Sequence, residues 1–111
     1  MHRTYVCIVL IFSALVLFSL SSPAASAEDG AALYDSNCVK CHGADGRGDT
    51  PVGRALKAAS LVDPKWAADD SAEAVVSAFR ANPKHKAMAS KVSDDDLRSI
   101  AVHLRKLASV Q

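Results

Sequence analysis

The chain has 111 residues, half of them hydrophobic, and its 13 basic residues nearly balance 12 acidic ones. A formal charge of +1 argues against a nucleic-acid partner, which would call for a strongly basic surface. We expect a single small domain, and a core of this size seldom contributes more than about 5 kcal/mol without a covalent or metal link.

The N-terminal segment has the pattern of a secretory signal peptide. Arg3 precedes a nearly unbroken apolar run over residues 5–20, and small residues follow, ending in Ala-Ser-Ala. We therefore expect cleavage after Ala27, removal of residues 1–27, and a mature domain of residues 28–111 free in the periplasm. The alternative is an uncleaved anchor, because the run is long for a signal core but short of the ~20 residues that span a membrane.

The first half of the mature chain predicts a helix, a loop and a weaker helix. Asp29 can cap the first helix, which runs through Tyr34 into a pair of cysteines. Residues 43–53 contain four glycines and a proline, which is typical of a loop. A short helix over residues 54–59 is the weakest element of the prediction.

The second half predicts two clearer helices. A capping box at residues 70–73 opens one helix, which must end before Pro83 because a residue preceding proline resists helical geometry. The last helix follows Ser93 as its cap, with three aspartates complementing the helix dipole. No segment alternates as a strand does, so the sequence predicts an all-α fold of three to four helices. The apolar face of the last helix is formed by Leu97, Ile100, Ala101, Leu104 and Leu107.

The decisive motif is the single Cys-Val-Lys-Cys-His sequence at residues 38–42. C-x-x-C-H is the attachment motif of c-type haem. Cys38 and Cys41 would each add to one haem vinyl group, and His42 would bind the iron. We therefore predict one covalently attached haem c per chain. The haem would also provide the covalent and metal links that a small core needs for stability.

Two other functions of paired cysteines fit less well. A redox disulfide of the thioredoxin type belongs in a βαβ pattern, which is absent here. A zinc site would require a second spaced pair of ligands, and only the widely separated His85 and His103 remain.

Over the whole mature chain, the sequence resembles the small monohaem class I c-type cytochromes. The resemblance rests on Gly30 and Tyr34 in the first helix, the C-x-x-C-H motif, a Gly/Pro loop, a Met on a late loop and an amphipathic last helix. It implies the cytochrome c fold, with Gly30 allowing the first and last helices to cross and Tyr34 packing near Ile100 and Leu104. His103 occupies a position that is usually aromatic in the family, which puts the tightness of this crossing in question.

The resemblance also implies an axial methionine. Met88 is the one methionine of the mature chain and lies on the late loop, so we predict that it is the sixth iron ligand. The alternative for Met88 is that it fills an apolar gap. His85 is the alternative ligand, although its lysine neighbours predict an exposed loop tip.

Three further residues are candidates for the haem pocket. By resemblance, the carbonyl of Pro51 accepts a hydrogen bond from Nδ1 of His42, unless Pro51 only shapes the loop. Trp66 and Arg54 would bind the haem propionates, with core packing and plain solvation as their respective alternatives. The expected apolar walls are Leu56, Leu61, Val75 and Phe79.

The sequence thus predicts a monomeric, soluble one-electron carrier, not an enzyme, that exchanges electrons with redox partner proteins. Two alternatives remain: a haem enzyme or gas-binding protein with an open or displaceable sixth ligand, and a dedicated electron-entry subunit of a larger oxidoreductase. Four lysines would form a basic docking surface around the haem edge, unless they are merely scattered and solvated. These are Lys40, Lys84, Lys86 and Lys91.

Overall fold

The computed structural model describes residues 26–63 and 71–111. The predicted signal peptide, apart from its last two residues, and Trp66 lie outside these ranges. Within them the chain is helical, which confirms the all-α prediction, and no helix is long and apolar enough to cross a membrane. The helices are α1 (Ala27–Asn37), α2 (Val39–His42), α3 (Pro51–Leu56), α4 (Ala72–Ala81) and α5 (Asp94–Ser109), with a 3₁₀ turn at Pro83–His85.

Helix α1 begins earlier than predicted. Its N-cap is Ser26, whose Oγ accepts from the backbone N–H of Asp29 at 3.2 Å and donates to Asp29 Oδ2 at 2.6 Å. Asp29 therefore lies in the first turn, where its charge complements the helix dipole, and does not cap the helix. Cleavage after Ala27 stays a prediction, and it would remove this cap.

The predicted first helix is divided in two at Cys38. The backbone N–H of Cys38 still bonds to the carbonyl of Tyr34 at 2.7 Å, but φ of −116° turns the chain before the four residues of α2. Gly43, at φ +78°, ends α2 in a conformation that a side chain would disfavour. This break explains why five helices are found among the described residues where three to four were expected.

Helix α3 occupies residues 51–56 and not 54–59. Thr50 caps it by accepting from the N–H of Gly53 at 2.8 Å, and Pro51 takes the first helical position, where its missing N–H costs nothing. Lys57 ends the helix in the left-handed conformation, with φ of 54°. The sequence prediction missed the Thr-Pro start because it assigned these residues to the glycine-rich loop.

Helix α5 has the predicted start and α4 the predicted end, but the capping box expected at residues 70–73 does not open α4: Glu73 lies one position too early for it, and Asp70 lies outside the described residues. Ser71 caps α4 through the N–H of Ala74, and the helix stops at Ala81, ahead of Pro83. Ser93 caps α5, and Asp96 completes a capping box by accepting from the backbone N–H of Ser93 at 2.9 Å.

The crossing of α1 and α5 is the most extensive contact between two of the described helices. A Cβ atom at Gly30 would overlap the backbone carbonyl of Ser99, so only glycine fits. His103 contributes the aromatic contact after all: its ring centre lies 5.3 Å from that of Tyr34. The crossing is therefore tight despite the departure at His103.

Tyr34 is fully buried at this crossing, in one cluster with Ile100 and Leu104, as predicted. Its hydroxyl donates to the carbonyl of Gly43 at 2.8 Å, which ties α5 and α1 to the end of α2. Burial raises the pKa of Tyr34 well above its usual value, so the hydroxyl stays a donor. The rest of the cluster comprises Val76, Phe79, Val92 and Leu97.

We expect Gly30→Ala to destabilise the haem-loaded protein by at least about 2 kcal/mol, because the obstructing atoms are backbone and cannot rotate away. Urea unfolding followed by circular dichroism measures this. Asp35→Ala, at an exposed site on the same helix, is the control and should change stability little. Equal stability of Gly30→Ala and the parent protein would show that the crossing is looser than described.

Candidate functional site

A cavity of about 260 Å³ is present in the structure. The cysteine motif lies on one side of it, and α4, the 3₁₀ turn and α5 lie on the other. Cys38, Cys41 and His42 all line it, as do His85 and Met88 from the segment after α4. The sequence-predicted thiols, imidazole and thioether are therefore brought to one cavity.

The walls of this cavity are mainly apolar. The four predicted wall residues all line it, although Leu56 is 49% exposed and so lies at the mouth. Much of the remaining wall comes from α5, whose apolar face is shared between the helix crossing and the cavity. The principal apolar lining residues are Leu56, Leu61, Val75, Phe79, Leu97, Ile100 and Leu104.

Both cysteines are half-buried and not joined in a disulfide. Burial, with a smaller effect of the Cys41 thiol, raises the pKa of Cys38 to about 11. Cys38 is thus a neutral thiol near pH 7. Addition across a haem vinyl group would take up one sulfur and one hydrogen, and the neutral thiol carries both.

His42 is oriented by the carbonyl of Ala59, 3.0 Å from its Nδ1 atom. The sequence analysis assigned this contact to Pro51, but Pro51 is exposed as the first residue of α3. A carbonyl can only accept, so we assign the hydrogen to Nδ1, which leaves Nε2 with a free lone pair. Burial lowers the pKa of His42, more than the contact with Ala59 raises it, and favours the neutral ring.

The segments around His42 are held by close backbone contacts. A Cβ at Gly53 would overlap the carbonyl of Cys41, so α3 packs directly on α2. Thr50 Oγ1 donates to the carbonyl of Lys40 at 2.8 Å, and the N–H of Gly48 donates to the carbonyl of His42 at 2.7 Å. These contacts fix the imidazole and the two cysteines in one unit.

Met88 lies in the turn that follows His85. Its N–H donates to the carbonyl of His85 at 2.9 Å, and its own carbonyl accepts from the N–H of Val92 at 3.2 Å. The side chain is half-buried and packs against the core cluster. A turn of this kind presents Met88 to the cavity without making it part of a long helix.

His85 is not the exposed loop tip that its lysine neighbours predicted. It is half-buried, its ring stacks on Phe79 with centres 4.4 Å apart, and its Nδ1 lies 3.2 Å from the carbonyl of Phe79. The flanking Lys84 and Lys86 are exposed. Their exposure therefore shows that the backbone lies at the surface, but it does not predict the direction of the histidine side chain.

Arg80 is a site residue that sequence analysis missed. Its guanidinium donates to the carbonyls of Ala89 and Val92, each at 2.7 Å, and to Asp94 Oδ1 at 2.8 Å. It thus holds the segment that carries Met88 against the start of α5. Nothing in the sequence distinguishes Arg80 from a solvated arginine at the end of a helix.

The cationic side chains at the cavity also differ from the prediction. Arg54 does not line it, because its guanidinium bonds to the carboxylate and carbonyl of Asp49 at 3.0 and 2.8 Å. Within the described ranges, Lys57, Lys84 and Arg105 line the cavity instead. Lys84 Nζ also donates to the carbonyl of Leu56, which closes one edge of the mouth.

Because four members of the core cluster also line the cavity, the chain cannot close a core of its own without filling this space. We expect chain made without haem to show no cooperative thermal transition and little fixed tertiary signal in near-ultraviolet circular dichroism. The haem-loaded protein, prepared in parallel, is the reference. A sharply melting apoprotein would contradict the expectation.

The family model for cytochrome c matches residues 27–108. Cytochrome c-553 of Nitratidesulfovibrio vulgaris (strain DSM 19637 / Miyazaki F) is 35% identical over 105 residues, which cover 90% of this chain and 97% of the relative. No solved structure is a significant match.

Subunits of cbb3-type cytochrome c oxidases are also similar. FixP of Rhizobium meliloti (strain 1021) is 30% identical over 83 residues, covering 72% of this chain and 27% of the relative. CcoP of Azospirillum brasilense is 32% identical over 96 residues, covering 84% of this chain and 32% of the relative. The chain thus spans about a third or less of these subunits. The match over residues 27–108, together with the helical fold and its cavity, shows that the chain belongs to the cytochrome c family, whose cofactor is covalently bound haem c.

Proposed function

We propose that the protein is a monohaem c-type cytochrome that carries single electrons between partner proteins outside the cytoplasm. The observation that carries the proposal is the convergence of the C-x-x-C-H side chains, a thioether and apolar walls on one cavity. The similarity to a cytochrome c-553, which covers 97% of that relative, also supports the assignment to the c-type cytochromes.

The residues present fit a covalently attached haem. Two free thiols and an imidazole with an unbonded Nε2 lie at one side of an apolar cavity. Cys38 and Cys41 would form the thioether links, and His42 would bind the iron. When bound, the haem supplies an iron that cycles between the ferric and ferrous states.

Met88 is the sixth ligand in this proposal. A thioether is soft and uncharged, so it favours the ferrous iron and raises the reduction potential. The apolar walls act in the same direction, because exclusion of water disfavours the state with the larger net charge. An iron with both axial positions taken by the chain needs little rearrangement when it gains or loses an electron.

The mouth of the cavity suits the two haem propionates. We propose that Lys57 and Arg105, which line the cavity, neutralise these carboxylates in place of Arg54. The role of Trp66 stays a prediction, because that residue lies outside the described ranges.

We propose that partner proteins dock on the basic surface formed by Lys40, Lys84, Lys86 and Lys91. All four lysines are exposed, and Lys84 lies at the cavity edge, so an acidic partner could approach where the haem edge would be nearest. The chain would act as a monomer, released from the membrane by cleavage of residues 1–27, and would catalyse no reaction at the iron.

A second candidate function is electron entry into a larger oxidoreductase. The similarity to cbb3-type oxidase subunits favours it, since this chain corresponds to one portion of those longer proteins. A permanent association with one enzyme would then replace exchange between freely diffusing partners.

The carrier function predicts a covalent haem and a closed iron. The haem should stay with the polypeptide through acid-organic extraction, and the paired variant Cys38→Ala, Cys41→Ala should release it. The reduced protein should pass electrons rapidly to ferricyanide in stopped-flow absorbance, with little carbon monoxide bound. Ready binding of carbon monoxide would favour a haem enzyme or gas-binding protein, and purification only with a large oxidase would favour the dedicated subunit.

The Met88 segment generates a prediction for Arg80. Arg80→Lys removes the forked contacts to Ala89, Val92 and Asp94, so we expect a loss of about 1–2 kcal/mol in stability and a weaker sulfur-to-iron absorption band in the ferric protein.

Arg98→Lys is the matched control. Arg98 also joins α5 to α4, through Glu73, and pairs with Asp95 within α5, whereas its hydrogen bonds do not involve the Met88 segment. We expect the control to lose less stability and to keep the absorption band. Equal bands in both variants would show that Arg80 does not position Met88.

A further inference from the structure

His42 and His85 line the same cavity, and the distance between their rings suits two ligands of one metal ion. Their ring centres are 6.3 Å apart, with 53° between the ring planes. An iron-bound nitrogen lies about 2 Å from the metal and the ring centre roughly 1 Å beyond, so two imidazoles on opposite sides of one iron have centres about 6 Å apart. The observed separation of the ring centres matches this spacing.

The two rings are also held in the same way. Nδ1 of His42 lies 3.0 Å from the carbonyl of Ala59, and Nδ1 of His85 lies 3.2 Å from the carbonyl of Phe79. Iron-binding histidines commonly donate the hydrogen of one ring nitrogen to a backbone carbonyl, which fixes the ring and leaves the other nitrogen as the ligand. Both histidines therefore have Nε2 as their unbonded nitrogen.

Phe79 restrains His85 further. The rings stack with an interplanar angle of 16° and centres 4.4 Å apart, so packing restricts the orientation of the imidazole. Stacking on Phe79 occupies the face of the His85 ring, and the Phe79 carbonyl accounts for Nδ1. Nε2 is the ring atom that these contacts leave without a role.

We propose that His85 is a second distal ligand, which competes with Met88 for the iron. The proposal rests on the carrier function above. In the exchange, the bond between Met88 Sδ and the iron would break and a bond from His85 Nε2 would take its place. No proton is transferred, because the hydrogen of His85 stays on Nδ1 and the Phe79 carbonyl keeps accepting it.

The oxidation state sets the direction of this exchange. Thioether sulfur favours ferrous iron, whereas imidazole nitrogen favours ferric iron more than sulfur does. The ferric protein therefore takes His85 to a larger extent than the ferrous protein. Both donors lie within one four-residue stretch, in which the N–H of Met88 bonds to the carbonyl of His85.

The test uses the haem-loaded protein and four variants: Met88→Ala, His85→Phe, the combination of both, and His103→Phe. Phenylalanine at position 85 keeps an aromatic ring against Phe79 and removes the nitrogen. His103→Phe is the control, because His103 packs on Tyr34 and does not line the cavity. Ferric absorption spectra and cyanide titrations are the readouts.

We expect Met88→Ala to stay low-spin and six-coordinate, with spectra of an iron bound by two imidazoles. If His85 occupies the iron about nine-tenths of the time in this variant, cyanide binds about tenfold more weakly than to the double variant. His85→Phe should strengthen the sulfur-to-iron band of the ferric protein, and His103→Phe should leave it unchanged. The proposal is wrong if Met88→Ala and the double variant bind cyanide equally, or if His85→Phe leaves the band unaltered.

A measurement on the parent protein avoids any variant that fails to fold. Electron paramagnetic resonance of the frozen ferric protein should show two low-spin signals, one for the histidine–methionine pair and one for the histidine pair. A single histidine–methionine signal overturns the proposal. Fast oxidation by ferricyanide alongside that single signal would leave the carrier function standing, whereas slow oxidation and open binding of carbon monoxide would remove the carrier function itself.

Discussion

The close approach of α1 to α5 at Gly30 is the constraint on which the rest of the structure depends. Backbone meets backbone there, since no Cβ fits between Gly30 and the carbonyl of Ser99. With the helices this near, Tyr34 is sealed in the crossing and its hydroxyl reaches the carbonyl of Gly43 at the end of α2. The haem-binding motif is thereby set against the apolar face of α5, which forms one wall of the cavity.

Contacts with backbone carbonyls recur among the groups that face this cavity. Ala59 orients His42, Phe79 orients His85, and the carbonyls of Ala89 and Val92 are held by Arg80. Such contacts position donors without adding further titratable groups beside the iron. They also make ligand placement depend on loop conformation, so changes outside the cavity can alter which donor reaches the metal.

The sequence was most informative where the signals are local. The motif at residues 38–42 predicts its cofactor from spacing alone, and Ser93 with Asp96 forms the capping box expected from short-range chemistry. Contacts between distant residues escaped prediction. Nothing near His42 indicates that Ala59, 17 residues on, supplies its acceptor. Likewise, Arg54 binds Asp49 because α3 starts at Pro51, three residues earlier than expected.

His85 shows how a local signal can mislead. Its lysine neighbours are exposed, yet the 3₁₀ turn directs the imidazole inward onto Phe79, because a turn of three residues per revolution separates adjacent side chains by about a third of a rotation. The turn that follows, closed by the N–H of Met88 on the carbonyl of His85, brings these two side chains to the same cavity. Under the ligation proposed above, this segment would offer the iron a nitrogen and a sulfur from nearly the same backbone position. Because these donors favour opposite oxidation states, the conformation of four residues can determine the potential at which the protein exchanges its electron.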